Sequence, residues 1–289
     1  AICRELFHHL LEASETTGLH TEKRDIWLGI LERLPKYENN EDGAVREWLH
    51  PLFPDNYNHR HLSHIYPLFP GDSINPREHG RERDSFVRAV EKRLVVGLHE
   101  QTGWSLMHLA NTYARLGQTE RAHECLQLLT RSCLGNNFFT YHNDDRGSGI
   151  TMDERWGKGP AFQIDANMGW TAAILEMLVF SRAGQLVLLS SLPEPWRSGS
   201  ADGILCRGGL KLSIKWDLDT GSIVLRMSGS KRGRWQIHCP GPIRRISGIN
   251  SELIDLSDSL EGICSVPLDR GSERRLEIEL GQGFRKPCH

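Results

Sequence analysis

The chain has 289 residues, with Lys+Arg 35 against Asp+Glu 37 and a formal net charge of -2. That near balance argues against a nucleic-acid binder relying on a broad basic surface. A content of 38% hydrophobic and 25% charged residues is that of an ordinary globular protein, long enough for about two domains. No apolar run approaches the roughly 18 residues of a membrane span; the longest, Ala172 to Phe180, is broken by Glu176. No basic-then-apolar leader is visible. The chain opens without Met inside a helical pattern, so a truncated chain is expected, with any secretory leader lost.

The first part reads as helices separated by long loops. Ile2 to Thr17 carries Leu6, Leu10 and Ala13 on one stripe, with Gly18 as a stop. Asp25 to Leu34 repeats the pattern and ends at Pro35. Arg81 to Gln101 places Phe86, Val90, Leu94 and Leu98 four residues apart, and Trp104 to Leu116 stops at Gly117. Thr119 is the expected N-cap of a helix reaching Cys133. The last helix expected, Asn167 to Ala183, is apolar on almost all sides, which predicts burial, and it stops at Gly184.

Near residue 185 the period changes. Leu210, Leu212, Ile214 and Trp216 alternate with Lys211, Ser213 and Lys215, the pattern of a half-buried strand. Asp219-Thr220-Gly221 predicts a turn into a partner strand with Ile223, Leu225 and Met227. Trp235, Ile237 and Cys239 predict another strand, and Leu276, Ile278 and Leu280 a last one. Short strands at this spacing predict an antiparallel β-sandwich. The expected division is therefore 1–185, helical, and 186–289, sandwich.

The seven cysteines are odd in number and no two have C-x-x-C spacing. Both facts argue against a disulfide scaffold or a zinc ribbon, for buried thiol fillers, and for a reducing compartment such as the cytoplasm.

The loops 36–80 and 134–160 are too long to be simple connections. Their composition is not that of disorder: they hold Trp48, Phe53, Tyr57, Tyr66, Phe69, Phe138, Phe139, Tyr141 and Trp156, with His50, His59, His61, His64, His79 and His142. Aromatic and imidazole groups in ordered loops are what a pocket for a polar ligand needs.

Two constellations stand out. In His59-Arg60-His61-Leu62-Ser63-His64, three imidazoles offer zinc ligands, but at no standard ligand spacing. A structural loop with backbone-bonded His is a second reading. A polyol-binding segment is the preferred one, because Arg presents a fork of donors and a neutral His one donor and one acceptor. In Phe162-Gln163-Ile164-Asp165-Ala166-Asn167, Asp165 or Asn167 is either a helix N-cap or a carboxylate presented from a rigid helix start, with Gln163 and Asn167 holding it or a water. Spacing alone leaves these two even. Glu47-Trp48 lines the same pocket in this reading, and Asp144-Asp145-Arg146 is an ion pair or, more simply, a solvated loop. Ser63 lacks a G-x-S-x-G setting, and no glycine-rich phosphate loop is present.

At these residues the chain resembles glycoside hydrolase family 95, the inverting α-L-fucosidase family. The likeness runs through Glu47-Trp48, His59 to Gly71, Gly103-Trp104-Ser105, Ala114-Arg115-Leu116-Gly117, Phe162 to Asn167, Leu189 to Pro193, Trp196 and Arg207-Gly208-Gly209, in that order. The resemblance implies part of an (α/α)6 barrel followed by a C-terminal antiparallel β-sandwich, in an enzyme that starts with another β domain. It implies an oligosaccharide or glycoconjugate substrate with a terminal α-L-fucosyl or α-L-galactosyl unit, no metal, no organic cofactor, and no nucleic-acid or membrane partner. It makes Asp165 catalytic, supporting an Asn that activates water, and makes Arg60 and His61 sugar-holding, with His59, Gln163 and Asn167 beside them. It places the general-acid Glu in a Pro-Ser-x-Ser-Pro-Glu-Asn segment and the water-binding Asn pair in an Asn-x-Asn segment. Both are expected upstream, in a missing N-terminal part of the parent enzyme, and neither is recognised here. Two local departures are Gly159-Pro160-Ala161, where many members have His-Pro-Pro, and Ala166 and Trp170, where small Gly residues are usual. Without the acid, a non-catalytic carbohydrate-binding fragment or a helical interaction scaffold are the alternatives.

Overall fold

A computed structural model describes residues 1–75, 80–95, 97–153, 159–248 and 254–281; His79, Trp156 and Cys288 lie outside these. Among the described residues there are six α-helices followed by two β-sheets, so a helical region precedes a sandwich as the hydrophobic periods predict. No described helix is long and apolar enough to cross a membrane. Contacts divide the chain into two compact units, Ala1–Thr112 with Cys125–Trp170, and Tyr113–Glu124 with Thr171–His289.

In the first unit, α1 (Ile2–Thr17) ends at Gly18 and packs with α2 (Arg24–Arg33). Arg24 donates to Leu11 O at 2.9 Å and Arg4 to Leu34 O at 3.2 Å, so each helix donates a guanidinium to the other's backbone or exit. Helix α3 (Arg81–Val95) is shorter than the apolar spacing predicts. Gly97 takes φ 94 just beyond it, so Leu98 lies outside the helix. Phe86, Ala89 and Val90 are its buried face. Helix α4 (Gly103–Arg115) starts as expected; α5 (Thr119–Ser132) includes Thr119 as its first helical residue rather than as its cap.

Helix α6 (Ile164–Leu178) differs most from expectation. It begins three residues earlier than predicted and yields at Val179 to a strand. Gly184 is not a helix stop but part of a two-residue hairpin turn, with φ 77, which only a residue without Cβ takes cheaply. Nor is α6 buried all round: Ala166, Ala173 and Met177 are inside, whereas Ile164 and Met168 are 53% and 64% exposed.

The second unit contains the sandwich. One sheet has the order β1-β2-β6-β8, from β1 (Val179–Arg182), β2 (Gln185–Leu188), β6 (Gly233–His238) and β8 (Ile263–Leu268). The other has the order β3-β4-β5-β9-β7, from β3 (Ser198–Cys206), β4 (Leu210–Asp217), β5 (Ser222–Gly229), β7 (Ile243–Gly248) and β9 (Glu273–Leu280). All pairs are antiparallel except β2 with β6, which is parallel and departs from the purely antiparallel expectation. Sequence periodicity predicts four of these strands; β1, β2, β3, β7 and β8 carry weaker alternation and were not expected.

The core follows the register. Leu212 faces Met227, Ile214 faces Leu225, and Leu225 faces Leu276 across three neighbouring strands. With Leu186, Leu188, Trp235, Ile237, Cys264, Val266 and Leu268 of the other sheet they form one apolar cluster. The strand pairs β4–β5 and β5–β9 run without interruption. The outer pairs do not: register shifts between Ala201 and Ile204 on β3, and between Ile243 and Arg245 on β7. Cys133, Cys206, Cys239 and Cys264 are free and buried, Cys125 is buried as well, and Cys3 is free and exposed.

Candidate functional site

The first site segment is held by a buried charge pair. The side chains of Glu47 and Arg93 are 4% and 1% exposed, and Arg93 Nη2 lies 3.0 Å from Glu47 Oε2. Arg93 Nη1 also donates to the backbone carbonyls of Asn56 and His59, the latter at 3.1 Å. Glu47 Oε2 accepts from the Asn56 N–H at 3.3 Å, and Glu47 Oε1 lies 3.8 Å from His59 Nδ1. One ion pair thus fixes the backbone on which His59, Arg60 and His61 sit. Trp48, expected in the same pocket, is exposed and meets Phe53 instead, with ring centroids 6.0 Å apart. An Asn-x-Asn spacing does occur among these residues, in Asn56-Tyr57-Asn58. Asn56 Oδ1 spends itself on the Asn58 N–H at 3.1 Å, a local turn.

The rings of His59, His61 and Trp104 form a run, with centroids 4.7 Å and then 4.9 Å apart. His61 is exposed as a whole, yet its ring lies against these two. That partial desolvation, then the charges of His59 and Arg60, lowers its pKa below the usual imidazole value. At neutral pH it therefore offers one donor and one acceptor. Arg60 lies 4.0 Å from Glu100. His64 is turned inward: burial, then the charge of Arg93, holds its pKa at about 4, and its Nδ1 has no hydrogen-bond partner among the described residues. Among the described residues no group of three or more His, Cys, Asp and Glu side chains is placed to hold a metal ion.

The second segment meets the first through Trp104. The Trp104 N–H, at the start of α4, donates to Gln163 Oε1 at 2.9 Å, so Gln163 caps α4 from the start of α6. A close helix approach makes this possible. A Cβ on Gly103 would collide with Tyr141 O and lie 3.4 Å from Ala166 Cβ, and one on Gly169 would lie 2.8 Å from Met107 Cβ. Asn111 Nδ2 seals the crossing by donating to Gly169 O at 2.9 Å.

Asp165 sits in the first turn of α6, not at its cap, and is exposed. It has no hydrogen bond or ion pair among the described residues. A carboxylate there is favoured by the helix dipole. Asn167, one residue further from the helix start than Ala166, is a staple: it accepts from the Thr140 N–H and hydroxyl at 3.1 and 2.8 Å and donates to Phe138 O at 2.8 Å. Its amide orders the 138–140 loop, a role that sequence spacing gives no sign of. Asp144 is buried rather than solvated. Burial opposes its charge, but the Ser148 hydroxyl and the N–H groups of Ser148, Gly149 and Arg146 outweigh that and lower its pKa.

Glu47, Ser63 and His64 also line a cavity of about 290 Å³ with Arg4, Tyr37 and Glu38. Arg60, His61, Gln163 and Asp165 do not line it, so the candidate site rests on the convergence at Trp104 and not on that cavity.

The sequence that carries these segments has counterparts. The description of the glycosyl hydrolase family 95 catalytic domain matches residues 1–178, and that of the family's C-terminal domain matches residues 180–255. The chain belongs to glycosyl hydrolase family 95. Relatives in this family include α-L-fucosidase 2 of Arabidopsis thaliana, 33% identical over 75% of this chain. Probable α-fucosidase A of Aspergillus oryzae is 29% identical over 75%, and that of Aspergillus niger 28% identical over 76%. The chain spans 25%, 31% and 28% of the lengths of these three proteins, respectively. The family 95 catalytic match thus ends where α6 ends and β1 begins.

Proposed function

We propose that this chain carries the sugar-holding and water-activating side of an inverting glycoside hydrolase of the α-L-fucosidase type, acting on terminal α-L-fucosyl or α-L-galactosyl units of glycans. One observation carries the reading: an unpartnered carboxylate, Asp165, on a helix start tied through Gln163 and Trp104 to the His59–Arg60–His61 segment. The names of the family relatives support the substrate class. In this reading 1–185 belongs to the catalytic domain and 186–289 to a C-terminal sandwich. Arg60 and His61 bind ring hydroxyls, His59 supports His61 from behind, and Gln163 keeps Asp165 in register. Asn167 contributes by holding the loop beside Asp165 in place of touching sugar.

Inversion needs an acid on the leaving oxygen and a base side across the ring that takes a proton from water. The Asp165 carboxylate serves the second role, orienting an amide or the water itself. The acid belongs to a segment outside these 289 residues, so this chain by itself binds sugar without turning it over. General acid catalysis is worth about 10² to 10⁴-fold.

The test titrates the chain with L-fucose and L-galactose, then assays α-L-fucosyl and α-L-galactosyl aryl glycosides with this chain and with a version extended to the relatives' length. Arg60→Lys should weaken binding about tenfold or more, because a point charge cannot reproduce the fork. In the extended version Asp165→Asn should lower kcat about 10²-fold or more with a smaller change in KM, and the first-formed sugar should be the β-anomer. Robust turnover by this chain alone overturns the missing-acid assignment, an unimpaired Asp165→Asn overturns the role of Asp165, and no sugar binding overturns the reading altogether.

A further inference from the structure

Trp104 does more than join the two site segments. Trp104 is fixed at both ends: its backbone N–H by Gln163 Oε1 at 2.9 Å, and its ring by His61 with centroids 4.9 Å apart. Its side chain is only half-buried. The indole N–H has no hydrogen-bond partner among the described residues and is not among the sealed, unpaired polar atoms such as His64 Nδ1 and His108 Nε2. A Trp serving only as filler buries its rings and pairs its N–H. This one keeps a donor open to solvent beside an exposed imidazole and one helix start away from an unpartnered carboxylate.

The chemistry that fits is a pyranose. One face of such a ring is a patch of C–H groups that lies well on an aromatic plane, and its rim carries hydroxyls that accept from an indole N–H. Trp104 is the residue that both segments touch, His61 through its ring and Gln163 through its backbone, so a sugar ring held by Arg60 and His61 has the indole beside it. Its placement is set by backbone packing and not by its own side chain. Gly103 lets the start of α4 press against Tyr141 and Ala166, and Ala166 adjoins Asp165 in the chain.

We propose that Trp104 is a substrate-binding residue that stacks its indole on the apolar face of the L-sugar and donates its N–H to a ring hydroxyl. The proposal rests on the reading of the site given above, and its test separates the two.

The chain, with its 8 Trp replaced by 5-fluorotryptophan, is titrated with L-fucose and followed by fluorine NMR. The Trp104 signal is assigned by its loss in Trp104→Phe, and the His61 Cε1–H signal is followed in parallel by proton NMR. The Trp104 signal should move saturably at the same midpoint as that of His61. Trp104→Phe, which keeps a ring but no donor, should weaken L-fucose binding about three- to tenfold, the range expected for one ring contact and one hydrogen bond. The wild-type titration reads the contact directly, so a poorly folded variant does not decide the matter. If His61 responds and Trp104 stays still, the stacking role is wrong and the site reading stands. If Trp104 responds while Arg60→Lys and His61→Ala leave the affinity unchanged, Trp104 binds sugar and the reading of the His59–His61 segment is wrong. If neither signal moves, both fall.

Discussion

Around β4, β5 and β9 the chain is held by repetition: every second side chain enters one apolar cluster, and each is one of many. Around His59 to His61 it is held by single polar groups. One carboxylate and one guanidinium, both buried, carry the backbone of Asn56 and His59, and one amide, that of Asn167, carries Phe138 and Thr140. The two modes fail differently. An apolar cluster loses a member and weakens in proportion to the area lost. A buried ion pair that loses a member leaves the other charge stranded, at a cost well above what the pair contributed. A site that must present polar groups at fixed positions, on loops without a ladder, has only the second means available.

The largest expected effect comes from breaking the pair. Glu47→Ala should destabilise the first unit by about 3–5 kcal/mol, because Arg93 stays buried without its partner. Hydrogen exchange should show amides of residues 45–65 opening while those of β4 and β5 keep their protection; equal loss in both would erase the distinction.

A pH titration sharpens the comparison next. His64 has a pKa of about 4 in the fold, against about 6.5 in an unfolded chain. The unfolded chain therefore takes up the proton first. Stability is fully present above about pH 6.5, falls as pH drops toward 4, and loses on the order of 3 kcal/mol in total. Urea midpoints should follow that slope in the parent chain and lose it in His64→Leu.

The smallest effect belongs to the sandwich. Ile278→Val removes one methyl from a dry cluster and should cost about 0.5–1.5 kcal/mol with an unchanged denaturant slope. A larger loss would mean that the cluster, too, depends on single members.

The same contrast explains what could be read from sequence. The helices and the strands at Leu210–Trp216 and Ile223–Met227 were legible because a whole face repeats. The end of α6 was not: Val179 and Phe180 continue its apolar run, and only pairing with Val187 and Leu188 makes them a strand. At the candidate site, residue types pointed to two segments, His59 to His61 and Gln163 to Asn167, each of which touches Trp104. They did not give what each side chain does there. Asn167 and Gln163 look like ligand-binding amides in sequence, and in the fold their acceptors are committed to Thr140 and Trp104. Glu47 and Arg93 lie 46 residues apart, so no local pattern announces their pairing.

The interrupted register of β3 and β7 has a consequence for the protein in concentrated solution. Among the described residues these are the outermost strands of the five-stranded sheet. A straight outer strand is a template on which another chain can lay a strand of its own. On β3 the one extra residue, with Asp202 and Gly203 opposite Ser213 alone, throws the rim out of step, and on β7 the slip falls at Arg244. Both rims therefore present a bent, charged border to a second copy, where a flat one would invite growth into fibres.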